Sequence, residues 1–263
     1  MCNNKWLGVG ERLHPWLLVL SAVGVSCHPT SKLRTEPALP LDRIAIVGAS
    51  VSAGFGGTPF GDAFTAAAKR SKVESFADVM LFRDPLGNQR RQIDAAIAFA
   101  PTVVVALDFL FWDLYGASDA GWRQQALTTG LAELERARAK GAWIVVGDVP
   151  HVVTAADWML AKDQIPPLEE IDALDAKITT WATHRERVVF VPFRSWAEPL
   201  AAGGEIEIAP GEKVQASTLV ALDGLHANAL GVFVLLDRLD HLIERELPGT
   251  PADALVFVRP ASP

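Results

Sequence analysis

Two short stretches of the chain hold the residue types best able to do covalent chemistry. The first is Gly48-Ala49-Ser50-Val51-Ser52-Ala53-Gly54, and the second is Asp223-Gly224-Leu225-His226-Ala227-Asn228. A serine hydroxyl attacks a carbonyl usefully only when a base removes its proton, and a neutral histidine is the side chain suited to that near pH 7. A carboxylate three residues before the histidine, on a loop or first helical turn, can reach the imidazole beside it. There it would fix the ring orientation and stabilise the imidazolium. Each half also has a plainer reading. A glycine-bounded serine is often a tight turn, and Asp223 could simply cap a helix beside a surface histidine.

Other glycine motifs do not fit the first stretch. A dinucleotide fingerprint needs G-x-G-x-x-G, and Gly54-Phe55-Gly56 is followed by Pro59 where the third glycine belongs. A phosphate-binding loop needs Gly-Lys-Ser/Thr, which is missing here. The elbow of α/β-hydrolases needs G-x-S-x-G, but position 52 is Ser.

The elements that would position these residues read as strand–helix alternation. Apolar runs lie at 43–48, 77–82, 102–109, 142–149 and 187–193, continuous rather than alternating, as strands covered on both faces should be. Helical patterns fill about 60–72, 89–99, 119–140, 168–185 and 228–246. Right-handed crossovers then give a five-stranded parallel sheet with helices on both faces, in the flavodoxin-like order 2-1-3-4-5. Ligands in such sheets bind at the carboxyl ends of the strands, where Ser50 falls, and the Ser50 backbone N–H is placed to meet an oxyanion. Residues 203–216 carry the turn signal Ala209-Pro210-Gly211-Glu212 and are expected to form a surface hairpin. In the last helix, Asp237 and His241 have i, i+4 spacing that a metal could use. A solvated helix face is the better reading.

Composition narrows the partners. The chain has 263 residues, half of them hydrophobic, and a net charge of −7 with no long basic run. That favours one soluble α/β domain and argues against nucleic acid. Residues 1–27 read as an export signal, with Lys5 and Arg12 preceding an apolar run at 16–25 that is too short for a bilayer core of ~30 Å. Gly24-Val25-Ser26-Cys27 is similar to a bacterial lipobox, which makes Cys27 the candidate lipidation site. Cleavage there removes Lys5, Arg12 and Glu11 and takes the net charge from −7 to −8. It also removes Cys2, so no intramolecular disulfide is possible. Residues 28–41 are polar and Pro-bearing and read as a tether; 42–263 form the domain. The expected location is the cell envelope or outside the cell, with membrane contact through the lipid and a monomeric protein.

Together the two motifs resemble the SGNH (GDSL-type) hydrolases, whose first block centres on G-D-S-x-x-x-G and whose last is D-x-x-H. The resemblance covers roughly 42–246. It implies a three-layer α/β/α fold and a Ser50–His226–Asp223 triad cleaving a lipid, short acyl or acetylated-glycan ester, with no cofactor or metal. It also implies oxyanion donors from two middle blocks. Gly87 is the match in one, with Asn88 beside it as a substitute donor or a turn residue. The other block should hold Asn, but Ala106-Leu107-Asp108-Phe109-Leu110-Phe111-Trp112-Asp113 has none. Neither Leu110 nor Phe111 can donate, and an inward, ionised Asp108 would repel an oxyanion, so a weakened hole is expected. Ala49 replaces the first-block Asp. His151 could line the pocket rim, and Phe111 and Trp112 could form acyl-pocket walls, though a structural role suits each better. The rival readings are acyl transfer to an acceptor other than water, a non-catalytic surface domain, and an intracellular hydrolase.

Overall fold

A computed structural model describes residues 40–152 and 159–260. The export signal, Cys27 and nearly all of the tether lie outside the described residues. The elements are β1 (Arg43–Ile46), α1 (Phe60–Ala67), β2 (Lys72–Ser75), α2 (Pro85–Phe99), β3 (Val103–Ala106), α3 (Phe111–Tyr115), α4 (Ala120–Ala139), β4 (Trp143–Gly147), α5 (Leu168–Thr183), β5 (Val188–Val191), α6 (Phe193–Ala202), β6 (Glu205–Ala209), β7 (Glu212–Gln215) and α7 (Ala229–Glu246). Five strands form a parallel sheet in the order β2-β1-β3-β4-β5, as expected.

Alternate residues of the central strands feed two cores. Ala45, Val104, Ala106 and Ile144 face a layer that includes Ile93 of α2, Leu127 and Leu134 of α4, and Ile171, Leu174 and Ile178 of α5. Ile44, Ile46, Val103 and Val105 face the opposite layer, with Phe60 and Phe64 of α1 and Leu236 and Leu239 of α7. Each Val, Leu, Ile or Phe among them contributes roughly 1.5–3 kcal/mol on burial, which holds the helices to the sheet on both faces.

The second strand is not where the apolar run at 77–82 placed it. β2 is Lys72–Ser75, an edge strand with mostly exposed residues, so its sequence is polar. The run beyond it is a loop ending in a 3-10 turn, Leu81–Arg83; Leu81 is buried and Phe82 exposed. Two helices, α3 and α6, also lay unread in the sequence, both short and starting within two to five residues of a strand end. The hairpin formed as expected: β6 and β7 pair antiparallel, and Gly211 takes the left-handed conformation (φ 77°) that the two-residue turn requires. Its Ile206 and Ile208 pack against Val234 of α7. Among the described residues no helix is long and apolar enough to cross a membrane.

Candidate active site

β1 delivers Ser50 to the carboxyl end of the sheet. The strand's backbone pairing continues through Val47, whose N–H bonds Val105 O at 2.9 Å, and ends at Gly48, whose carbonyl accepts from Asp78 N at 3.1 Å. Gly48 has φ 152°, and a Cβ there would lie 2.1 Å from an Asp108 carboxylate oxygen. Only glycine satisfies both the backbone and that approach. The chain then curls into a turn, closed by Ala53 N–H to Ala49 O at 2.9 Å and Phe55 N–H to Ser50 O at 2.8 Å.

The turn is held from two neighbouring elements. Asp108, just after β3 and 4% exposed, accepts from Ala49 N at 3.1 Å, Val51 N at 2.9 Å, Ser52 N at 3.2 Å and Ser52 Oγ at 2.5 Å. Burial pushes its carboxyl above the usual carboxylate range, and the four donors pull it back. Every bond it makes is one it accepts, which suits the ionised form. Gln92 of α2 grips Gly48 with both amide atoms, accepting from its N–H at 2.8 Å and donating to its carbonyl at 2.9 Å. The N–H groups on both sides of Ser50 are thereby occupied. The Ser50 N–H itself has no hydrogen-bond partner among the described residues and is left for a ligand.

The partner loop precedes α7. An isolated bridge between Val220 and Ala227 closes it, with Ala221 N–H donating to His226 O at 2.7 Å. Asp223 Oδ1 accepts from Leu225 N and His226 N, both at 3.0 Å, and Oδ2 meets His226 Nδ1 at 2.8 Å. Burial raises the Asp223 carboxyl, but these N–H groups and the imidazole outweigh it and leave it below the ordinary value. The cap of α7 is Asn228, which accepts from Gly231 N at 3.0 Å. Asp223 is therefore not spent on the helix. His226 Nε2 lies 2.8 Å from Ser50 Oγ, joining residues 176 apart in the chain. Because ionised Asp223 only accepts, Nδ1 carries the proton and Nε2 is left to accept the serine hydroxyl. Phe55 packs on the imidazole with ring centres 4.5 Å apart, and the His226 side chain is 1% exposed.

The other oxyanion candidates are committed elsewhere. Gly87 lies in the first turn of α2, and its N–H donates to the capping side chain of Asp84 at 3.1 Å. Asn88 donates to the carbonyls of Met80 and Leu81, each at 3.3 Å, and accepts from Arg91. It lies in the first turn of α2, with its backbone N–H on Asp84 O at 2.8 Å, and no amide of this pair is left for a substrate. Leu110 and Phe111 are core residues, 1% and 8% exposed. Asp108 does point inward, but its charge is met by the donors of the turn. Asp237 and His241 sit on a solvated face, with His241 Nδ1 bonded to the Asp237 carbonyl at 2.7 Å. Among the described residues, no group of three or more His, Cys, Asp or Glu could hold a metal.

Sequence reasoning took Asp108 for a threat to the oxyanion rather than the anchor of the turn, and missed Gln92 and Gln89. Gln89 donates to Phe109 O at 2.9 Å and to both oxygens of buried Asp113. The available signal was two glutamines three apart on the face of α2 that also carries buried Ile93 and Ala96.

Comparison with known proteins fits this arrangement at the level of fold. No family model matches the sequence, and no curated protein matches it. Solved structures do. TesA is similar at 21% identity, covering 78% of this chain and 99% of that one, with a TM-score of 0.52. An acylhydrolase by provisional assignment, from Bacteroides fragilis, is similar at 16% identity, covering 80% and 90%, with a TM-score of 0.54. A GDSL-like lipase, also provisionally assigned, from Parabacteroides merdae matches at 17% identity over 79% and 96%, with a TM-score of 0.52. The chain has the three-layer α/β/α fold of the SGNH (GDSL-type) hydrolases.

Proposed function

We propose that the protein hydrolyses carboxylic esters through an acyl-enzyme on Ser50. The observation that carries the reading is the continuous chain from Ser50 Oγ through His226 to Asp223, each link 2.8 Å. Ser50 Oγ attacks the ester carbonyl carbon as its proton passes to His226 Nε2. The carbonyl oxygen takes the negative charge and accepts from the Ser50 N–H. Collapse expels the alkoxide, which receives the proton from His226, and the acyl group stays on Ser50. Water then attacks the acyl carbon as its proton passes to His226, and His226 returns that proton to Ser50 Oγ as the acid leaves. Asp223 holds the ring with Nε2 toward Ser50 and stabilises the imidazolium in both halves.

The Ser50 N–H is the donor the geometry leaves for the oxyanion, so turnover is expected to be slow. A missing second donor typically costs about 10²–10³ in rate. The test is a small fluorophosphonate probe followed by peptide mapping. Labelling at Ser50 that disappears in His226→Ala supports the reading. Folded protein that stays unlabelled sinks it and favours a binding domain.

We also propose that the protein resides at the cell envelope through a lipid on Cys27. The support is the short apolar run and the small residues before that cysteine. Mass spectrometry of the mature N-terminus checks it: two or more acyl chains on Cys27 are expected, and an unmodified start elsewhere ends the idea.

A further inference from the structure

A cavity of about 300 Å³ opens beside the Ser50–His226 pair. Its lining includes Val51, which follows Ser50, and Gly224 and Leu225, which lie between Asp223 and His226. One face of α7 also lines it, through Gly231, Val234, Leu235 and Arg238. Gly231 to Arg238 alone spans about 10 Å of helix. The opposite wall is α6 and the hairpin, where Trp196, Leu200 and Ile206 line it. α6 has no fully buried residue although Trp196, Ala197 and Leu200 share one face. That apolar face is half-covered by protein, in the way of a surface awaiting an apolar ligand. Gly231 sets the fit of the far wall, since a Cβ there would lie 2.1 Å from the Leu219 carbonyl oxygen and push the neighbouring turn off α7.

We propose that this pocket takes an unbranched apolar chain of the ester, up to about a dozen carbons. The proposal rests on the ester-hydrolase reading and adds the substrate class. An apolar cavity of ~150 Å³ accommodates the six carbons of benzene, so about 300 Å³ has room for about twice that. Arg238 sets the limit. It makes no ion pair among the described residues, and its one hydrogen bond, to the Glu207 carbonyl, is 3.5 Å long. A methylene pressed against that guanidinium would strip its water and return nothing, so a longer chain stops gaining there.

Two substrate series test the pocket: p-nitrophenyl esters from acetate to palmitate, and acetate esters of primary alcohols of the same lengths. kcat/KM is expected to rise about fourfold per methylene in one series and to level off near ten to twelve carbons. A rise with acyl length assigns the pocket to the acyl chain; a rise with alcohol length assigns it to the leaving group. Flat profiles in both overturn the proposal. Ala197→Trp and Leu200→Trp should each cut the decanoate-to-acetate ratio more than tenfold, and Arg238→Leu should move the optimum to longer chains. Fluorophosphonate labelling of each variant reports whether the fold and the site persist; a labelled variant with an unchanged ratio counts against the pocket. If wild-type protein does not label at all, the catalytic reading fails separately. The pocket is then judged by calorimetric titration of decanoate: binding lost in Ala197→Trp upholds it, and no binding to wild type rejects it.

Discussion

The turn that carries Ser50 and the loop that carries Asp223 and His226 are held in different ways. The loop is tied to itself. Asp223 bonds residues two and three positions on, and the Val220–Ala227 bridge closes a span of eight residues. The nucleophile turn is tied from afar. Its polar anchors, Asp108 and Gln92, stand 44 to 59 residues away and are buried under α2 and β3. A local constraint survives small shifts of its surroundings, because both partners move together. A long-range constraint holds only while the whole sheet is in register. In return it pre-organises the Ser50 N–H by occupying every amide around it, and a preorganised donor contributes most where charge develops.

The severest way to break the comparison is to remove a member of the chain that joins the halves. Ser50→Ala and His226→Ala should each lower esterase turnover by about 10⁵–10⁶, and the double variant should be barely worse than either, since the members act as a unit. Steady-state kinetics with p-nitrophenyl esters checks this. Wild-type turnover in Ser50→Ala would remove Ser50 as nucleophile. Asp223→Asn should cost about 10⁴ in kcat by presenting the wrong tautomer, while thermal stability changes little because its bonds are local.

Asp108→Ala should behave in the opposite sense. It leaves three N–H groups and the Ser52 hydroxyl facing an apolar hole. Roughly 3 kcal/mol or more of stability should go, along with about 10²–10³ in kcat. Chemical denaturation beside kinetics measures both. If stability holds and only activity falls, Asp108 acts on the chemistry rather than on the turn. Gln92→Leu is milder, since it strips partners from one residue, Gly48. About 1–3 kcal/mol of stability and a smaller fall in kcat are expected.

The smallest effect sharpens the contrast by its sign. Burial places Asp108 above its ordinary value of 3.8, so the folded state holds that proton more tightly than the unfolded chain does. Its contribution to stability therefore declines as pH rises past about 4. Burial also raises Asp223, but its bonds to His226 and Leu225 win and leave it below 3.8, so its contribution is present at neutral pH and lost in acid. The destabilisation caused by Asp108→Asn should accordingly shrink from pH 4 to 7, while that of Asp223→Asn should grow. Parallel trends in melting temperature across that range would contradict the two environments described here.

Much of this was legible before any coordinates. The central strands are continuous apolar runs because helices cover both faces, and that pattern needs no tertiary information. Edge strand β2 escaped because one side of it faces water: Lys72-Val73-Glu74-Ser75 is too polar and too short to stand out, while the run that did stand out is a loop lending Leu81 to the core. Asp223 and His226 were readable as a pair because their contact is made across three residues, where chain geometry alone decides it.

Sequence alone determined the parallel order of the sheet, the hairpin, that Ser50 falls at the end of the first strand, and that Asp223 and His226 precede the last helix. Those follow from periodicity and local backbone rules, which act over a few residues. Tertiary structure alone decided how the site is finished. Asp108 looked like a liability in a degraded motif, yet it supplies the acceptor for the nucleophile turn. Gly87 and Asn88 looked like oxyanion donors, yet their polar groups are satisfied within the first turn of α2 and the 3-10 turn before it. A hydrogen-bonding group can be spent in many places, and only the fold, by burying some and leaving others such as the Ser50 N–H unpaired, settles where.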